Sequence, residues 1–215
     1  MYKCGFKKIF SIGLLLVAVL FLAACTFNLD NGKPHFEPRQ FIGSACHQSL
    51  ETARQWIESN ALMLAEQELI HALNVSCLKG YEKSQLHRLL AYVMFAQKKY
   101  PQAINAYQYV VESKYLDVVT RSEAVYTRAQ IQFLTDDYKA VIEGITLAIK
   151  DDLLLDENTD LLLARSYYRV GNYDNALGIL KRLVSNSEEQ GESDKYQEQL
   201  ALICNATKQP EFCDY

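Results

Sequence analysis

Tyr100-Pro-Gln-Ala-Ile, Tyr138-Lys-Ala-Val-Ile and Tyr173-Asp-Asn-Ala-Leu align without a gap, at intervals of 38 and 35 residues. Each block opens a stretch of helical period and follows another such stretch. Leu86, Leu89, Leu90, Val93 and Met94 show that period, as do Leu161, Leu162, Ala164, Tyr167 and Tyr168. Small residues recur twelve apart: Ala53 and Ala65, Ala91 and Ala103, Ala129 and Val141, Ala164 and Ala176. These pairs advance along the chain in steps of 38, 38 and 35 residues. A large or apolar residue follows each second small residue four positions on, at Leu69, Tyr107, Ile145 and Leu180. A small side chain midway along one helix, facing another near the start of the next, lets the two backbones cross closely. The tyrosine at the hairpin then fills the space between successive pairs. Turn signals fall where each first helix must end, at Lys98-Lys99, Thr135-Asp136-Asp137 and Gly171-Asn172. Asp137 and Asn172 are positioned to cap the helix that follows.

This pattern resembles the tetratricopeptide repeat (TPR) over about residues 47–190, as four units followed by a fifth, unpaired helix. The resemblance implies an all-α fold, a TPR-like α-hairpin solenoid of about four helix pairs with a C-terminal capping helix. It also implies a non-enzymatic scaffold for protein–protein interaction. Some positions depart from the family. Its usual proline after the second helix is absent, two steps are 38 residues long, and the first unit has Trp56 but no hairpin tyrosine. The third unit carries Arg128 and Gln132 where apolar residues are common.

Outside the repeats, the N-terminus reads as an address. Lys3, Lys7 and Lys8 precede an apolar run of sixteen residues from Ile9 to Ala24, broken only by Ser11 and Gly13. As a helix it would span about 24 Å, short of the ~30 Å hydrocarbon core of a bilayer. A signal peptide is therefore expected rather than a spanning helix. Leu22-Ala23-Ala24-Cys25 resembles the lipobox of bacterial lipoproteins. That resemblance implies cleavage before Cys25, acylation of its thiol and new amino group, and stable membrane anchoring through several acyl chains. Thr26, where inner-membrane lipoproteins often carry Asp, favours the outer membrane, with the protein facing the periplasm. The expected organisation is residues 1–24 as lipoprotein signal peptide, 25–45 as acylated cysteine and flexible tether, and 46–215 as the repeat domain. The tether is read from Asn31-Gly32, Pro34, Pro38 and Gly43 and the lack of helical period. The polar stretch Glu188–Lys195 is read as a loop.

Composition narrows the function. Removing Lys3, Lys7 and Lys8 takes the formal charge from −4 to −7. A surface that acidic repels phosphate backbones, so nucleic acid is not an expected partner. The four histidines (35, 47, 71 and 87) show no HxxxH or HExxH spacing, and no CxxC occurs, so neither metal nor cofactor is expected. GxSxG, P-loop and GxGxxG motifs are all missing from the sequence. Asp136/Asp137 and Asp151/Asp152 sit where solvated caps are the ordinary explanation, and no catalytic residue is assigned.

With Cys4 in the signal and Cys25 lipidated, Cys46, Cys77, Cys204 and Cys213 remain. An even number in an exported protein reads as disulfides with three connectivities open. The hairpin arrangement selects among them. Cys46 precedes the first helix of the first unit and Cys77 follows its second helix, and these ends are neighbours in an antiparallel pair. Cys204–Cys213 would then fold the tail back onto the last helix.

One stripe along the first helix of each unit faces the concave groove in TPR-like stacks. It reads Leu50, Arg54 and Ile57; Arg88, Tyr92 and Phe95; Tyr126, Gln130 and Phe133; then Leu161, Arg165 and Tyr168, with Arg169 adjacent. Arginines and aromatics in an otherwise acidic chain suit an extended peptide, because guanidinium groups pair with carboxylates and carbonyls while rings offer stiff apolar faces. The competing reading makes the aromatics inter-helix core and the arginines solvated.

A narrower resemblance covers residues 85–192. Ala129-Gln-Ile-Gln-Phe-Leu-Thr-Asp-Asp-Tyr138 and Leu163-Ala-Arg-Ser-Tyr-Tyr-Arg-Val-Gly-Asn-Tyr173 are similar to the periplasmic TPR component of proteobacterial TonB energy-transduction systems. The lipobox departs from that family. Other lipid-anchored TPR proteins assist outer-membrane assembly, pilus-secretin assembly or control of cell-wall hydrolases. The expected partner is another envelope protein or an extended peptide segment of one, with the membrane engaged through the lipid. The rival class is a cell-wall enzyme or ligand-binding protein that uses the groove as a pocket.

Overall fold

A computed structural model describes residues 43–207 apart from 76, 78, 188 and 189. The signal peptide, Cys25, the tether as far as residue 42 and Cys213 lie outside the described residues.

Every regular element among the described residues is an α-helix. They run α1 (Ser44–Glu58), α2 (Leu62–Val75), α3 (Gly80–Ala96), α4 (Tyr100–Val111), α5 (Val118–Leu134), α6 (Tyr138–Lys150), α7 (Glu157–Arg169), α8 (Tyr173–Asn186) and α9 (Gln190–Thr207). Consecutive helices pack against one another throughout, giving four hairpins and a ninth helix laid on α8. The recurrent small residues are where the sequence pattern puts them: Ala53, Ala65, Ala91, Ala103, Val141, Ala164 and Ala176 are fully buried and Ala129 nearly so. Leu69, Ile145 and Leu180, four positions after the second small residue, are among the largest fully buried side chains.

Each hairpin turns by the same backbone device. Asn60, Lys98, Asp136 and Gly171 have φ of 59°, 60°, 59° and 78°. At the second hairpin the Lys98 amide donates to the Phe95 carbonyl at 2.8 Å and the Lys99 amide to the Met94 carbonyl at 2.9 Å. This is the Schellman arrangement, which satisfies carbonyls that the ending helix leaves without partners. The same pair of bonds closes α1, α5 and α7, through Asn60 and Ala61, Asp136 and Asp137, and Gly171 and Asn172. The next helix is then capped by Asp137, which accepts from the Ala140 amide at 3.2 Å, and by Asn172, which accepts from the Asn175 amide at 3.4 Å.

Left-handed backbone costs a residue with a Cβ about 1–2 kcal/mol, against about 0.5–1 kcal/mol for the extra unfolded freedom of glycine. Lys98 is exposed. Lys98→Gly is therefore expected to stabilise the chain by about 0.5–1 kcal/mol, visible as a rise of a few degrees in melting temperature. An unchanged or lower melting temperature would show that the Lys98 turn carries no such strain.

Two departures from the sequence reading concern polar residues. The stretch read as a loop from Glu188 to Lys195 is helical from Gln190, the start of α9. Only one face of α9 is covered, by way of Tyr196, Leu200 and Ile203, so its remaining positions are free to be polar. Arg128 and Gln132, polar in apolar slots, are both buried. The Arg128 guanidinium donates to Gln108 Oε1 on α4 and lies against Gly144 on α6, where a Cβ would come within 2.5 Å of its Nη2. Glycine at 144 thus provides the room that the long side chain needs.

The ends are tied differently. Cys46 and Cys77 form a disulfide with Cα atoms 5.1 Å apart, joining the start of α1 to the second residue beyond α2. The buried Glu82 carboxylate also holds this end, accepting from the Gly43 amide at 2.6 Å. At the other end Cys204 is disulfide-bonded and packs beside the α7–α9 core. Its expected partner, Cys213, lies outside the described residues.

Candidate functional site

Two of the three neighbouring pairs of first helices touch, α1 with α3 and α5 with α7. Second helices of neighbouring units do not meet to that extent. The side on which neighbours approach more closely is the inner side of a curved stack, so α1, α3, α5 and α7 line its concave face.

Apart from Ile57, half-buried against the core, the stripe read from the sequence divides into three groups. Arg54, Arg88, Tyr92, Tyr126 and Arg165 are half-buried and are distributed over α1, α3, α5 and α7. Arg54 pairs with Glu51 one turn back along α1. Burial pulls the Arg88 guanidinium below its ordinary value, while Glu123 of α5 and Asp117 at its cap oppose that effect and Arg54 adds to it. Arg88 therefore lies in a field set by three consecutive units. Tyr92 packs on the core beside the buried Tyr107, whose hydroxyl burial raises far above its usual value. Tyr126 is raised by burial and by nearby Asp156, with the Gln130 side chain hydrogen-bonded to its hydroxyl and Arg165 close by. Arg165 Nε in turn donates to Gln199 Oε1 on α9 at 3.3 Å.

Phe95, Phe133 and Tyr168 form the second group, one turn further along. Each meets the hairpin tyrosine five residues on, with centroids 6.3, 5.0 and 5.8 Å apart in the Phe95–Tyr100, Phe133–Tyr138 and Tyr168–Tyr173 pairs. Arg169, exposed, lies over the Tyr138 ring of the preceding unit at 5.5 Å. These residues are spent on stacking the hairpin ends. Gln130 and the unit-start residues Leu50 and Leu161 make the third group, and all are buried. For Gln130 this corrects the expected groove position: it stands behind Tyr126 and orients its hydroxyl.

Next to Tyr126 the concave face opens into a cleft of about 230 Å³. Val119, Ser122, Glu123 and Tyr126 of α5 form one wall, and Leu154 and Asp156 on the approach to α7 form the other. Positions 119, 122, 123 and 126 share one helical face, the stripe continued one turn toward the start of α5. That continuation was available in the sequence. The opposite wall was not, because Leu154 and Asp156 lie in the irregular segment between α6 and α7. Asp156 caps α7, accepting from the Thr159 amide at 2.9 Å. Burial pushes its carboxyl upward, but hydrogen bonds from Thr159 and Asn158 outweigh that and hold it below the usual range, so the group is ionised near neutrality. Among the described residues no group of three or more His, Cys, Asp or Glu is placed to hold a metal ion.

Fold and site together define an all-α protein with a TPR-like helical-repeat fold. The tetratricopeptide repeat family model matches residues 159–189, which cover most of α7 and all of α8. Among solved structures, the chain is similar to the nearly identical TPR-like repeats of a putative kinesin light chain from Podosopora anserina. That similarity has a TM-score of 0.56 at 18% identity, covering 80% of this chain and 91% of that one. A substituted form of the same repeats gives the same TM-score, 0.56. At 18% identity the likeness is one of fold. No curated protein matches the chain.

Proposed function

We propose that this chain is a lipid-anchored cell-envelope scaffold that binds an extended segment of another envelope protein along its concave face. The observation that carries the binding part is the half-buried line Arg54, Arg88, Tyr92, Tyr126 and Arg165, which runs across four consecutive first helices and borders an open cleft at Tyr126. Half-buried rings and guanidinium groups keep one face for a ligand while their other face is fixed by packing, so little entropy is lost on binding. TPR-like repeats of this kind ordinarily bind proteins. The anchoring part rests on Leu22-Ala23-Ala24-Cys25 behind a basic segment. A periplasmic role beside a TonB system is the narrower form of the proposal, supported by the resemblance over residues 85–192.

One experiment in a bacterial host addresses both parts. A photo-crosslinking residue in place of Tyr92 is expected to capture one envelope protein, whereas the same residue in place of Asn105, exposed on α4, is not. A fatty-acid probe is expected to label the wild type and not Cys25→Ser. Equal labelling of both would remove the anchor from the proposal. Capture from Asn105 alone would place binding on the outer face.

A further inference from the structure

The cleft beside Tyr126 has a shape and charge that select one kind of occupant. Its 230 Å³ falls below the roughly 300–1,000 Å³ of sites that enclose a small-molecule ligand. A space that size takes one long side chain. Its rim is apolar: Val119 and Leu154 are 57% and 69% exposed although neither has a polar atom in its side chain. Ser122 is 8% exposed, and its Oγ has no hydrogen-bond partner. A buried hydroxyl left in that state is unfavourable, and an occupant or its accompanying water would relieve it.

Charge sets the sign of the occupant. Glu123 of α5 and Asp156 at the cap of α7 both line the cleft. Asp117, Arg88, Arg54 and Arg165 are the other charged groups coupled to this region, and none of them lines the cleft. Arg88 interacts electrostatically with both Asp117 and Glu123, and Arg165 Nε donates to Gln199 on α9. The lining itself thus carries two carboxylates and no lysine or arginine, which leaves the walls negative. An acidic side chain would meet both Glu123 and Asp156 and is rejected. A lysine or arginine would lay its methylene stem along Val119, Leu154 and the Tyr126 ring and bring its head to the carboxylates.

We propose that this cleft is the subsite for a lysine or arginine side chain of the partner segment. The proposal rests on the concave-face reading above and adds the chemistry of one position in the segment.

The probe is a phage-displayed library of random twelve-residue peptides panned against the immobilised full chain. Enriched peptides are then synthesised and their affinities measured by fluorescence anisotropy against the wild type, Tyr92→Ala, and the double variant Glu123→Gln with Asp156→Asn. Asparagine retains the cap of α7, and Glu123 is exposed, so the double variant is expected to fold. Circular dichroism checks that it does.

Peptides that weaken on Tyr92→Ala are expected to share one cationic position. Replacing that residue with leucine should weaken binding roughly tenfold on the wild type and hardly at all on the double variant, as charge pairing at a desolvated site requires. Tyr92-dependent peptides without a shared cation overturn the subsite and leave the scaffold standing, as does a leucine replacement that costs as much on the double variant. If no peptide depends on Tyr92, subsite and concave-face reading fall together.

Discussion

Replacing Cys46 and Cys77 together with alanine is expected to lower stability by about 3.5–4 kcal/mol. The bridge spans a sequence separation of 31, and an open chain of that length gains loop entropy that the cross-linked chain does not have. Both cysteines are buried, at 1% and 0% exposure, so the loss includes whatever packing the alanines fail to restore. The effect should be local before it is global. The first repeat has a neighbour on one side only, and an end repeat frays first. Without the disulfide, α1 is held at its start chiefly by the Gly43–Glu82 contact. Hydrogen exchange should accelerate in α1 and α2 and stay near wild-type rates in α5 to α8. Denaturant titration gives the total. A loss below about 1 kcal/mol would mean that the closed ring adds little, because the unfolded chain is already compact there.

At the other end, Tyr196→Ala is expected to cost about 3–5 kcal/mol. Tyr196 heads the fully buried side chains by volume, and it stands at the centre of the small core formed by α7, α8 and α9. Its hydroxyl donates to Glu157 Oε2 at 2.8 Å, tying α9 to the first turn of α7. Removing the ring opens a cavity under the last helix and leaves that carboxylate without the bond. Tyr196→Phe keeps the ring and loses only the bond, and should cost about 1 kcal/mol. Denaturant midpoints of the two variants separate packing from hydrogen bonding. If Phe and Ala are equally damaging, the bond rather than the ring holds α9.

The hairpins were legible because their determinants are local. Helical period, a pair of small residues twelve apart in each unit and turn residues at Lys98, Asp136 and Gly171 all act within one unit, and a single sequence shows them. Binding-face assignment needed more than period. Tyr126 and Phe133 are two turns apart on nearly the same stripe, yet one borders a cleft and the other packs on Tyr138. What separates them is the neighbouring unit, which the sequence of α5 does not contain. Arg128 reads as an outlier in its own helix and makes sense only beside Gln108 of α4 and Gly144 of α6. α9 was misread at its start for a related reason. A capping helix with one covered face carries few apolar residues, and Tyr196, Leu200 and Ile203 are too sparse to announce it.

The concave face is the centre of the account, and paired measurements on Tyr126→Ala and Arg165→Ala test it most directly. Both side chains are half-buried, so truncating the Tyr126 ring is expected to cost about 1 kcal/mol of stability. As binding anchors they should each cost at least ~2 kcal/mol of partner affinity, about thirty-fold. The measurement is the affinity of each variant for the protein captured at Tyr92, with thermal melts on the same preparations. Melting temperatures within a few degrees of wild type and affinities weakened about thirty-fold or more are expected. Unchanged affinity in both variants, or a collapse of the melting temperature in Tyr126→Ala, would contradict the concave-face reading.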